Sequence, residues 1–152
     1  MRSLVVALMT VSLGSCGGSA GFPTPTGPPG KPPSAPSVDR SPPPSWVQTA
    51  RGAHWLGYSS FCWDGLCADY ASPRCGDGRT PTLHLTRGEV IQFHLPFAPS
   101  ESGLFRGPRA RTKRLELVRN PTWRVRAAGA FTLFVRPKRG GDASYTGCVR
   151  FD

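Results

Sequence analysis

The chain has 152 residues, 38% of them hydrophobic, with 17 prolines and 18 glycines; that length allows one folded domain with appendages and argues against several domains. Its formal charge of +10 rests almost entirely on arginine, lysine occurring only at Lys31, Lys113 and Lys138. Such an excess attracts anionic partners such as lipid headgroups, acidic polysaccharide or nucleic acid, although an arginine bias also serves solubility alone.

The elements in chain order begin with a leader. Arg2 is a minimal positive start, and Leu4 to Leu13 forms an apolar stretch of signal-peptide length, well short of the roughly 20 residues of a permanent membrane helix. It ends in Leu13-Gly14-Ser15-Cys16. This run resembles the lipobox of bacterial lipoproteins: an aliphatic residue, two small residues, then the cysteine. The resemblance implies diacylglycerol transfer to the Cys16 thiol and cleavage after Ser15, so residues 1–15 are a lipoprotein signal peptide. Small residues let the backbone lie extended in a peptidase groove, and the thiol is the nucleophile that takes the lipid. Several acyl chains, at about 0.8 kcal/mol per buried methylene, hold such a protein at a membrane. The expected location is the extracytoplasmic side of a bacterial cell membrane or outer membrane.

Residues 16–44 follow as the lipidated cysteine and a tether. Gly17 to Pro44 carries ten prolines and almost no apolar side chain, so nothing offsets the entropy of folding. Polyproline II bias makes it a semi-rigid spacer of at most roughly 85 Å, at about 3.1 Å per residue. A Pro25-to-Pro28 docking motif for a proline-binding module is the competing reading.

Residues 45–152 read as short β segments between Gly, Pro and Asp. Thr82 to Thr86 alternates apolar and polar residues, Arg87-Gly88 breaks the pattern, and Val90 to Leu95 resumes it, which predicts two strands joined by a glycine turn. Arg114 to Val118, Thr122 to Arg126, Phe131 to Val135 and Ala143 to Phe151 continue the series. No helical period persists for three turns. The expected fold is all-β, a sandwich or barrel of about seven strands. Its predicted core is Leu83, Leu85, Ile91, Phe93, Leu95, Leu115, Leu117, Trp123, Val125, Leu133, Val135, Tyr145 and Val149, with Arg124, Arg126 and Arg136 turned to water.

Three segments of this domain also resemble an uncharacterised group of small bacterial lipoproteins. They are Gly57 to Asp69 with its Phe61-Cys62-Trp63 and Cys67-Ala68-Asp69, the hairpin from Leu83 to Phe93, and Gly141 to Tyr145. The resemblance implies an Ig-like sandwich and brings no activity with it. The chain departs from the group in carrying Cys75 and Cys148, since the group's last strand has an apolar residue at the position of Cys148.

Five cysteines are an odd number for an exported protein. Assigning Cys16 to lipid leaves Cys62, Cys67, Cys75 and Cys148, for which sequence alone permits three pairings. The departure from the group implies that Cys75 pairs with Cys148, which leaves Cys62 with Cys67. A four-cysteine zinc site is the alternative, but separations of five, eight and 73 lack the C-x-x-C knuckles of such sites. No metal or other cofactor is expected.

Histidine occurs at His54, His84 and His94 alone. If the strands of His84 and His94 are neighbours, the two rings share a face, and an envelope enzyme or metal-binding protein using both is the runner-up reading. No Gly-x-Ser-x-Gly elbow and no carboxylate pair spaced for acid–base work occurs, so the expectation is no enzyme. Arg106, Arg109, Arg111, Lys113 and Arg114 place five cations in nine residues without an acid. Extended by Arg136, Lys138 and Arg139, they form a candidate surface for anionic headgroups or envelope polymers. Nucleic acid would call for interleaved aromatics, absent from this segment. The other view is a solvated loop. A third reading is a neutral ligand held by Trp46, Trp55, Tyr58 and Trp63, favoured if two exposed rings lie coplanar, whereas Trp63 covering the small cysteine loop argues against it. The sequence therefore predicts a lipid-anchored binding or structural module, with its protein partner undefined.

Overall fold

The computed structural model describes residues 40–106 and 113–152; the leader, Cys16, the tether to residue 39 and the expected cations Arg109 and Arg111 lie outside them. The described chain is all-β, as the alternation predicts, with eleven strands where about seven were expected. The additional ones come early, where bends divide the stretch before Ala68 into four: β1 (Trp46–Thr49), β2 (Gly52–Trp55), β3 (Gly57–Trp63) and β4 (Leu66–Ala68). Then follow β5 (Thr82–Leu85), β6 (Val90–His94), β7 (Pro99–Phe105), β8 (Lys113–Arg114), β9 (Thr122–Arg124), β10 (Gly129–Pro137) and β11 (Asp142–Phe151). One sheet has the order β2-β1-β6-β9, and the other β4-β3-β11-β10-β7-β8 with β5 pairing β11 in parallel.

The core lies between the sheets. Val47, Ile91, Phe93 and Trp123 enter it from the first sheet, and Leu83, Leu85, Phe131, Leu133, Val135, Tyr145 and Val149 from the second. Phe131 joins the layers, its ring edge-on to Phe93 at 6.0 Å and to Trp123 at 5.3 Å. Gly147, opposite Phe131 in the β10–β11 ladder, makes room for that ring: a Cβ there would stand 2.6 Å from it.

Two sequence expectations need correction. The strands on either side of Arg87-Gly88 are no hairpin: β5 pairs β11 in one sheet, and β6 pairs β1 and β9 in the other. The link crosses between layers because Leu83 and Leu85 must face Ile91 and Phe93 across the core, which two paired strands of one sheet cannot do. Glu89 fixes the crossing, its carboxylate accepting from the amides of Thr86 (3.0 Å) and Ala50 (2.8 Å). Leu117, expected in the core, is 56% exposed, while Leu115 is buried. Strand pairing ends at Arg114, so no ladder keeps the alternation in step beyond it.

The proline triplet behaves unlike the tether reading. Pro42 is buried, and the hydroxyls of Tyr58 and Tyr145 donate to the carbonyls of Pro42 (2.8 Å) and Pro43 (2.6 Å). Two tyrosines thus tie the end of the proline segment to the domain.

Candidate functional site

The cysteines pair as the sequence resemblance implies. Cys62 and Cys67 are direct cross-strand partners in the β3–β4 hairpin, bridged with Cα atoms 4.0 Å apart. Asp64 and Gly65 form its two-residue turn, both at positive φ (46° and 76°), as a primed hairpin turn requires. Cys75 is bridged to the buried Cys148 of β11. The Trp63 ring stacks on Phe97 at 5.5 Å.

The condition set for His84 and His94 is not met. His84 and His94 sit in different sheets because their strands do, so the shared face of the runner-up reading is not formed. His94 stacks flat on Trp46, centroids 3.6 Å apart and planes within 3°, and burial lowers its pKa. His84 instead contacts Asp152 through Nδ1 at 2.9 Å, and Arg51 pairs with the same carboxylate. The His84 contact, then that of Arg51, lowers the Asp152 pKa. Burial and the nearby His84 lower the pKa of His54. Among the described residues no three His, Cys, Asp or Glu side chains converge as a metal site would need.

The basic segment is divided by its surroundings. Arg106 turns inward: its guanidinium donates to the Ala128 carbonyl at 2.6 Å and lies over the Trp123 ring. Arg136 is likewise engaged, pairing with Glu101 at 3.1 Å and Asp142 at 3.7 Å. Lys113 and Arg114 remain exposed on β8, the last strand of its sheet, with Lys138 and Arg139 exposed elsewhere. The β8 edge is not purely cationic. Phe105, Leu117 and Val118 are exposed apolar side chains, and Phe105, Arg114 and Leu117 line one groove of about 540 Å³. Sequence reading found the cations and missed this apolar partner, because it placed Leu117 in the core.

Comparison with family models, with curated proteins and with solved structures finds no match.

Proposed function

We propose that the chain is an exported bacterial lipoprotein, held at a membrane by acyl chains on Cys16, whose sandwich acts as a binding or structural module and not as a catalyst. One observation carries this reading. The two bridges consume Cys62, Cys67, Cys75 and Cys148, so of five cysteines only Cys16 is left, at the position where the lipobox resemblance asks for a lipidated thiol. Disulfides of this kind persist in oxidising compartments, in keeping with export.

The surface that meets anionic headgroups or envelope polymers is then the β8 edge. Lys113 and Arg114 supply charge, worth about 1 kcal/mol per cation near an anionic membrane surface, while Phe105 and Leu117 supply apolar contact. The test uses the full chain as an unacylated Cys16→Ser variant, so that the lipid does not dominate, with anionic and zwitterionic vesicles. Binding to anionic vesicles that falls at least tenfold in an Arg109/Arg111/Lys113/Arg114→Ala variant supports the surface. Equal binding by parent and variant overturns it. The anchor is tested separately, by incorporation of radiolabelled palmitate into the parent and not into Cys16→Ser.

A further inference from the structure

A second surface lies on the four-stranded sheet, independent of the anchor and of the β8 edge. Paired residues share a face and successive residues alternate. Because Val47, Ile91, Phe93 and Trp123 fill the core, the intervening side chains project from the opposite face. Register sorts them into rows. Trp55, Trp46 and His94 stand side by side in the first; Gln48, Gln92 and Thr122 cross the second. Arg124, opposite Val90, begins the third, where a groove of about 710 Å³ opens, lined by Arg87, Arg124 and Arg126 and by Glu89, whose carboxylate is held by the amides of Ala50 and Thr86.

Each row has its own chemistry. Trp46 and His94 stack face to face and are part-exposed, so each covers one ring face of the other and leaves the opposite one for a ligand; burial lowers the His94 pKa. The middle row is made of amide and hydroxyl groups. Two polar atoms of these rows lack a hydrogen-bond partner: Trp55 Nε1, a donor, and Oε1 of Gln48, an acceptor on a residue only 4% exposed. Buried polar atoms are seldom left so, and a ligand carrying hydroxyls satisfies both kinds. Guanidinium groups come from Arg124 in the third row, from Arg126 one alternate step beyond it and from Arg87 in the link before β6. Arg124 reaches toward the Gly88 carbonyl (3.5 Å) and Arg87 lies over the Phe151 ring, so Arg126 is the group best placed to meet an anion.

We propose that this face binds an acidic oligosaccharide, with a sugar ring against the indoles of Trp46 and Trp55, hydroxyls on the Gln48 row, and a carboxylate at the Arg126 end. Rings stack on the hydrophobic faces of pyranoses, and arginine pairs with carboxylate in a planar fork. Arg124 stands two alternate-residue steps from the first row and Arg126 one step further, about 20 Å by strand rise, the reach of several linked sugars and not of one. Reaching Gln48 Oε1 or Trp55 Nε1 requires those side chains to turn outward as the ligand seats.

The experiment titrates the full chain with tetragalacturonate, with maltotetraose as a neutral saccharide and with citrate as an anion that is no sugar, following tryptophan fluorescence. The proposal expects saturable binding of tetragalacturonate, at least tenfold tighter than either control. Binding should weaken at least tenfold in Trp46→Ala and in the surface variant Arg126→Glu, which keeps the test open if the tryptophan variant misfolds. It should be unchanged in Arg150→Ala, an exposed cation on the other sheet. Absence of saturable binding, citrate binding as tightly as the saccharide, or an unaltered affinity in folded Arg126→Glu overturns it.

Discussion

The two bridged regions hold one sandwich by different means. Around Cys62–Cys67 the backbone does most of the work: the cysteines are already cross-strand partners, and Asp64-Gly65 makes the turn. The sulfurs there reinforce a hairpin that pairing has built. Around Cys75–Cys148 no strand stands between Ala68 and Thr82. That loop is held by one bridge spanning 73 residues and by the carboxylate of Asp77, which accepts from the amides of Arg74 (3.1 Å), Arg79 (3.0 Å) and Thr80 (2.8 Å). Its end is then pinned where the Cys148 amide donates to the Pro81 carbonyl at 2.8 Å. A crosslink counts most where the ladder is missing.

This contrast is open to attack at several strengths. The largest effect belongs to Cys75→Ala/Cys148→Ala, for which chain entropy alone gives a loss of about 4 kcal/mol, read as a lower urea midpoint. Removing Cys62 and Cys67 in the same way should cost about 2 kcal/mol. A reversed order of the two variants would break the comparison. Tyr145 lies on the strand that carries Cys148, and Tyr145→Phe removes the bond to the Pro43 carbonyl at a cost of about 1 kcal/mol. Combined with Tyr58→Phe, it should open residues 41–44 to protease, a sign absent from either cysteine variant.

The smallest effect is a pH dependence. The amide of Arg74, with help from Thr80 and Arg79, holds the Asp77 pKa at about 2, below its ordinary 3.8. A carboxyl depressed by folding stabilises fully above its unfolded pKa, and that contribution fades as pH falls through the folded one. Unfolding measured at about pH 5 and about pH 2 should therefore show a smaller acid loss in Asp77→Asn than in the parent. Equal losses would place the loop's stability in the bridge alone.

Much of this architecture was readable from residues, in a graded way. Alternation revealed which side chains point inward, and Leu83, Leu85, Ile91, Phe93, Leu133 and Val135 are all fully buried. Alternation does not say which sheet a strand joins. The Thr82-to-Leu95 segment is patterned like a hairpin, yet it crosses between layers, since facing inward from opposite sheets satisfies the same pattern. Leu104 was missed because β7 reads Pro-Ser-Glu-Ser-Gly-Leu-Phe and shows no alternation, while Phe61 sits among aromatics with no clean period. Leu117 failed in the other direction, apolar in sequence but past the last pairing of β8. The cations of the β8 edge were legible, and their division into the inward Arg106 and the outward Lys113 and Arg114 was not, since it depends on where Ala128 and Trp123 lie. The aromatic and amide rows needed register, which no single strand's sequence contains.

Placement at a membrane remains the central claim, and the mass of the mature amino-terminal peptide tests it most directly. The account predicts a peptide beginning at Cys16 that carries diacylglycerol on its sulfur. A peptide with an unmodified Cys16, or one cleaved at another residue, would contradict it.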